Sequence, residues 1–337
     1  MNLAVVGGGV IGLTCALRAA DEGWRVTVFD AGASSRASDV AAGMLGSLGE
    51  GIPGEEAQLE LSAASVRAWP SLLDRLGDPD IVAARDSLFV GFTAADMKYL
   101  HQLARFVWSA DVAVASRLSE VSATQVRASE PMLSGRSQGG YLARGEMAVD
   151  NRRLLRGLRD ALADIGAEFV DEPVTDLADV RADQTLLAAG LDSSKLWPGV
   201  QIYEAKGEII RLRRNRWSVA PPRHVIRGRI DNRNVYLVPR IDGVVVGATQ
   251  YEPLEPDNRI PQVGGVADLL VDACEIMPGL RTYDLAEVGA GLRPMTADGL
   301  PVIERVDERV IAAVGHGRNG ILLAPYTADR VAELLTA

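Results

Sequence analysis

The chain has 337 residues, enough for two domains, and an ordinary soluble make-up with 47% hydrophobic and 24% charged residues. Its formal net charge of −10 argues against nucleic acid or an anionic membrane as a partner. Cys15 and Cys274 stand too far apart in sequence for a disulfide framework or a metal signature and read as core filler; no apolar run reaches the length of a membrane span, and the lack of a basic leader before the first strand makes the cytoplasm the expected location.

Residues 3 to 30 carry the strongest signal. Leu3-Ala4-Val5-Val6 is a short buried strand, and Gly7, Gly9 and Gly12 fit G-x-G-x-x-G. A helical pattern runs from Val10 to about Glu22 with Leu13, Leu17 and Ala20 on one face, and Gly23 stops it. Trp24 to Phe29 is a second strand, and it ends on Asp30. In such a unit the first glycine permits the tight turn, the second lets the backbone approach a pyrophosphate, and the third lets helix and strand pack closely. The helix N-terminus, at Val10 and Ile11, offers free N–H groups to phosphates. Asp30 is placed to accept hydrogen bonds from a ribose. A dinucleotide site is therefore expected.

Residues 31 to 38 read as a small polar loop, followed by Asp39-Val40-Ala41-Ala42-Gly43-Met44-Leu45, where small residues allow backbone to pass close to a bulky ligand. Arg36 and Ser38 either add to the phosphate site or, for Ser38, cap an ordinary helix. A turn is expected at Gly51-Ile52-Pro53-Gly54, then a helix from Glu56 to Leu76 kinked at Pro70. Ser87 to Phe92 reads as a strand, Ala94 to Trp108 as an amphipathic helix with His101 on its solvated face, and Ser119 to Ser129 as a short helix. Gly139 to Ala143 is a strand, and Asp150-Asn151 caps a helix from Arg152 to Ile165 whose arginines form its wet face. Glu168 to Val170 and Pro173-Val174-Thr175 are strand-like, and Thr185 to Gly190 is an apolar strand running into glycine.

From Gln201 the texture becomes β-rich and reads as an antiparallel sheet: Gly207 to Leu212, Val235 to Pro239, Gly243 to Thr249. A helix from Gly264 to Ile276 follows, then strands at Pro301 to Ile303 and Val310 to Val314, a second glycine turn at residues 315 to 320, and a last helix from Ile321 to Leu335. Strand, glycine turn and helix repeat the opening design, so the chain end returns to the nucleotide domain. The fold class expected is α/β (α+β, two-domain): a Rossmann-like domain from residues 1–80, 145–200 and 290–337, with an inserted domain from 81–144 and 201–289 built on a large antiparallel or mixed sheet.

Taken together, Val5 to Asp30, Ser38 to Leu45, Val235 to Arg240, Gly289-Ala290-Gly291-Leu292-Arg293-Pro294 and Gly315 to Pro325 resemble the D-amino-acid-oxidase-type FAD oxidoreductases. Among these the glycine oxidases of bacterial thiamine biosynthesis match best. The resemblance implies FAD, and no cysteine follows Cys274, where related enzymes tether the flavin, so the FAD is expected to be non-covalent. It also implies a small amino-acid substrate with O₂ as acceptor, and a homo-oligomer, dimer or tetramer. It assigns Arg293 and Tyr236 as catalytic residues that hold the substrate carboxylate, with Met44, Gln250 and Arg318 at the substrate, Arg318 supporting the site or helping to hold Arg293. The cofactor set it implies comprises Gly7, Gly9, Val10, Ile11, Gly12, Asp30, Ala31, Arg36, Ser38, Ala42, Gly43, Met44, Val174, Ala189, Gly190 and Arg293, then His316, Gly317, Arg318, Asn319, Gly320, Ile321 and Leu322. His316 reads as a packed neighbour, not an acid or base. Gln250 and Asn234 depart from the residues that well-matched members carry, which leaves pocket size and preferred substrate open. Rival readings are an oxidase of sarcosine, D-proline or small D-amino acids, an NAD-dependent dehydrogenase, and a flavin- or nucleotide-binding sensor without turnover.

Overall fold

In a computed structural model, residues 1–32, 36–48, 54–110 and 116–336 are described. The expected turn at Gly51 to Gly54 falls, for residues 51–53, outside them, as does the 33–35 part of the polar loop.

One sheet gathers the start, middle and end of the chain. Its order is β15 (Val302–Arg305), β16 (Val310–Val314), β9 (Gln184–Leu187), β1 (Asn2–Val6), β2 (Arg25–Phe29) and β8 (Glu168–Val170). All neighbours are parallel except β15 and β16. Side chains alternate across β1 with the strand period of two. Leu3 and Val5 face a helical layer formed by α1 (Val10–Asp21), α3 (Glu56–Leu76), α6 (Asn151–Asp164) and α9 (Gly320–Thr336), where Leu13, Leu17, Trp69, Leu158 and Val331 are buried. Ala4 and Val6 face the other side, against Leu187, Val200 and Val314. This is the return of the chain end to the opening unit that the glycine turns predicted.

The other large sheet has eight strands in the order β14 (Asp284–Met295), β10 (Tyr203–Arg213), β13 (Gly243–Gly247), β12 (Arg233–Arg240), β11 (Val225–Ile230), β4 (Ser87–Gly91), β6 (Gly139–Ala143) and β5 (Leu118–Ser122). It is mixed, one of the two forms expected, because β4 and β11 pair in parallel. The same period of two divides its faces. Ile210, Ile226, Leu237 and Val246 lie under α8 (Val263–Ile276), packed on Leu269 and Ile276. The opposite face carries Ile209, Val225, Val238 and Val245. Tyr236, Arg227 and Arg229 share the parity of Val238 and Val225, so that second face is where they belong. Two short strands, β3 (Val82–Ala84) and β7 (Ala148–Val149), pair apart from both sheets, and the single turn α7 (Ser193–Leu196) follows β9.

Four local expectations are corrected. Ser119 to Ser122 belongs to β5, and the helix there is α5 (Ala123–Ser129), started by a capping box between Ser122 and Gln125; strand pairing with β6 overrides helical periodicity. Pro173 to Thr175 forms no strand; a proline has no N–H to give a ladder. His101, on α4 (Ala94–Ala110), is half-buried, with Nδ1 2.6 Å from the Tyr141 hydroxyl. The arginines of α6 do more than face water: Arg152 forks onto Glu287, Arg153 reaches Asp78 and Asp80, and Arg159 donates to Asp30.

Cys15 is in the first core and Cys274 packs on the second, as expected of core filler. Among the described residues no group of His, Cys, Asp or Glu is arranged to hold a metal, and no helix is long and apolar enough to cross a membrane.

Candidate active site

A cavity of about 880 Å³ opens between the turn after β1 and the exposed face of the eight-stranded sheet. Its size is that of a cofactor or ligand site. Every cofactor and substrate residue expected from the sequence lines it except Gly12.

The nucleotide end is shaped by glycine backbone. Gly7 has φ +123°, and a Cβ there would lie 2.2 Å from the Ala188 carbonyl oxygen. At Gly12 a Cβ would lie 1.9 Å from the Gly7 carbonyl oxygen, so this glycine serves helix–strand packing, which is why it lies behind the cavity wall. At Gly9 the nearest group is Ser38 Oγ at 3.4 Å, leaving that turn open to a ligand. Gly43, with φ +81°, brings its backbone onto Val149 and lets Ala42-Gly43-Met44 run along the cavity.

Asp30 at the end of β2 is buried and accepts both hydrogen bonds of Arg36, each 2.7 Å, as well as one from Arg159. Burial alone would raise its pKa, but the hydrogen bonds and charges of Arg36 and Arg159 outweigh it and hold the carboxyl below its usual range. Ser38 lies inside α2 (Ala37–Val40), after the Arg36 N-cap, so it is not a cap. Its Oγ instead accepts from the Val10 N–H at 3.1 Å, at the N-terminal end of α1.

Several supports of this end escaped the sequence reading. Asn151, fully buried, donates to the carbonyls of Ser38 (2.7 Å) and Asp39 (3.0 Å). Its Oδ1 accepts from Arg211 at 3.3 Å and Arg240 at 3.4 Å. Arg240 donates to the Ala42 carbonyl at 2.8 Å. Burial pushes its pKa down to about 10, against the pull of Asp150, so it remains a cation at neutral pH. The cavity wall at 38–43 is thus held by side chains from α6, β10 and β12. The sequence showed Asn151 only as part of a helix cap.

At the other end, Arg293 on β14 lies over Gly207 of β10, where a Cβ would be 2.2 Å from its Nη2. It donates to the Thr249 and Lys206 carbonyls, each at 3.4 Å. The Tyr236 hydroxyl lies over Gly247 of β13, 2.4 Å from where a Cβ would stand. Two glycines on adjacent strands therefore let an arginine and a tyrosine lean in from either side. Burial raises the Tyr236 pKa, although Arg293 and then Arg227 pull it down; the phenol stays protonated and able to donate at neutral pH. Met44 is half-buried and Gln250 exposed on the same cavity. Arg318 donates to Glu55 at 2.7 Å.

His316 is buried, its Nε2 2.9 Å from the Thr327 hydroxyl, which donates to the Leu323 carbonyl. That hydroxyl's proton is committed, so the ring nitrogen must be the donor. Burial drives the His316 pKa down to about 3, leaving a neutral, packed ring as expected. Arg227 and Arg229 on β11 also line the cavity and were not singled out from the sequence. The available signal was their i, i+2 spacing in a strand that is otherwise apolar or glycine.

The family model of FAD dependent oxidoreductases matches residues 2–334. The chain belongs to that family. Its cofactor is FAD, and the glycine turn at 7–12, the cavity-lining segment at 42–44 and the turn at 315–320 form the cradle that would hold it, a cradle whose close backbone packing leaves no room for a Cβ at Gly7, Gly12 or Gly43. Neither cysteine of this FAD-dependent oxidoreductase lines the cavity. The chain is 29% identical to a glycine oxidase of Bacillus licheniformis, covering 98% of this chain and 92% of that protein. It is 27% identical to the bifunctional protein ThiO/ThiG of Trichormus variabilis over 99% of its length, which is 52% of that protein. The crystal structure of a glycine oxidase from Geobacillus kaustophilus superposes with a TM-score of 0.84 at 27% identity, covering 99% of this chain and 94% of that one.

Proposed function

We propose that this FAD-dependent oxidoreductase oxidises the Cα–N bond of a small amino acid, with glycine as the reference substrate. The products are glyoxylate, ammonia and hydrogen peroxide, with O₂ as the electron acceptor. The observation that carries the reading is the Arg293–Tyr236 pair, set over Gly207 and Gly247 at one end of the cavity and opposite the glycine cradle. A guanidinium receives a carboxylate in a planar, two-point fashion, and the phenol adds a third donor. FAD, when bound, supplies the two-electron acceptor for the Cα hydrogen; the protein's part is aim and electrostatics. With His316 neutral and buried, no imidazole base stands ready at Cα, and none is needed if the amine binds deprotonated. The glycine-oxidase names of the relatives agree with this reading. Supply of the glycine imine for thiazole synthesis is the purpose proposed with it.

In this reading residues 1–80, 145–200 and 290–337 form the FAD-binding part, and 81–144 with 201–289 the substrate part. β14, running from Asp284 to Met295, passes from one to the other and carries Arg293 across. A second reading, an oxidase of sarcosine, D-proline or a small D-amino acid, is favoured by the extension of the cavity past Tyr236 to Phe89, Leu100 and Leu103.

The test is anaerobic mixing of the flavin-loaded protein with glycine, sarcosine, D-alanine and D-proline. Loss of the visible flavin absorption with glycine is expected. Bleaching only by a secondary or D-amino acid moves the assignment to the second reading, and no bleaching by any amine overturns amine oxidation.

A further inference from the structure

The far end of the cavity holds more positive charge than glycine uses. On β11, Arg227 and Arg229 share one face, and in the register with β12 Arg227 stands opposite Tyr236 and Arg229 opposite Asn234. Adjacent strands are about 5 Å apart and same-face neighbours along a strand about 7 Å. Tyr236 and Arg229 are thus one strand and two residues apart along one wall of the same cavity.

Both arginines have a buried carboxylate nearby. Arg227 has Glu146 at 3.7 Å and lies over the Phe89 ring. Arg229 has its guanidinium carbon 3.7 Å from the centroid of the Tyr99 ring, and only 13% of its side chain is exposed. Its hydrogen bonds go to neutral amide oxygens, Asn234 Oδ1 at 2.8 Å and Asn232 Oδ1 at 3.3 Å. Among the described residues its nearest carboxylate, Asp96, is 3.9 Å away and is itself occupied by Thr93 and the Asn232 N–H. The Asp96 ion pair is long and the short hydrogen bonds of Arg229 go to neutral amides, so a carboxylate in the cavity would make a stronger hydrogen bond than the amide it displaced. Asn234 and Gln250, polar where apolar contact would suit a glycine pocket, line the same space.

We propose that the preferred substrate is an amino dicarboxylate: one carboxylate goes to Arg293 and Tyr236, and the second to Arg229, with the Asn234 amide beside it. The inference rests on the amine-oxidation reading above. It names Arg229 as the residue that sets specificity, in a reaction for which glycine is a truncated substrate.

The experiment compares glycine, iminodiacetate and D-aspartate by anaerobic flavin reduction, in the wild type, Arg229→Gln and Arg229→Lys. The last two substrates place the second acid on the nitrogen or on Cα, and so separate the two forms of the class. At least one diacid is expected to exceed glycine in kcat/KM by tenfold or more. That ratio should fall at least tenfold in Arg229→Gln and less in Arg229→Lys. A binding readout needs no turnover: diglycolate, which has an ether in place of the amine, should perturb the flavin spectrum at least tenfold more tightly than methoxyacetate, and lose that margin in Arg229→Gln. Flavin reduction by glycine with no preference for either diacid, or equal losses for glycine and diacid in Arg229→Gln, overturns the inference and leaves amine oxidation standing. No reduction by any amine overturns both. If Arg229→Gln does not fold, the Arg229→Lys ratio and the diglycolate margin of the wild type decide.

Discussion

The two ends of the cavity are built by opposite means. At the glycine-turn end the wall is main chain: Gly7, Gly9 and Gly43 line the cavity with backbone, and Gly12 behind them lets α1 pack closely on β1. At the substrate end the wall is side chain. Arg293, Tyr236, Arg227 and Arg229 lean in from three strands of a mixed sheet, two of them over glycines at 207 and 247. In the function proposed above, the first end holds what many reactions share, a pyrophosphate and a ribose. The second holds what distinguishes one substrate from another, and depends on which residue of each strand falls on which face.

The sharpest way to separate the two ends is Arg293→Ala. It should retain yellow, bound FAD and lose about 2–5 kcal/mol of transition-state binding, on the order of 30-fold to several thousand-fold in kcat/KM. Steady-state kinetics with measured flavin content checks this; unchanged kinetics would remove Arg293 from carboxylate binding. Gly12→Val should do the reverse. Its Cβ would meet the Gly7 carbonyl at 1.9 Å, so helix and strand must part. The expected cost is about 1–3 kcal/mol of stability, with loss of flavin at purification. A full complement of FAD with an unshifted urea midpoint would refute the packing argument.

Asn151→Ala tests the link between the ends. It leaves the Ser38 and Asp39 carbonyls, the buried Arg240 and the half-buried Arg211 one partner short. A loss of about 1–3 kcal/mol is expected, together with weaker FAD binding by fluorescence titration and little change in substrate selectivity. The smallest effect concerns His316. Its folded pKa, about 3, is below that of the unfolded chain, so between about pH 6.5 and 3 the unfolded state binds the extra proton and stability falls as pH falls. The contribution is at most about 1.4 kcal/mol per pH unit. Urea unfolding at pH 6 and pH 5 should therefore show a shallower decline for His316→Gln than for the wild type; identical slopes would mean that His316 is protonated in the fold.

The opening unit was legible because its signal is local. The order of Gly7, Gly9 and Gly12 between Val6 and a helix, with Asp30 closing β2, reports strand, turn and helix within thirty residues. The return of the chain end was legible for the same reason. Less so was the sheet edge at Leu118–Ser122, where five residues fit either period and pairing with Gly139–Ala143 decided. The arginines of α6 looked like a solvated face because nothing in one helix reveals that Asp30 and Glu287 lie within reach.

What the sequence determined by itself was the glycine turn from Gly7 to Gly12 and the periods of the main helices and strands, since both show in patterns a few residues long. Only the tertiary structure decided that β4 joins β11 in parallel, that Asn151 clasps the 38–42 wall, and that Arg229 lines the cavity between two amides and Asp96. A side chain's face is set by its own strand, but its neighbours are set by segments far away in the chain, as Ser87 to Gly91 are from Val225 to Arg229. It is those neighbours that turn a charged residue into a strut or a binding group.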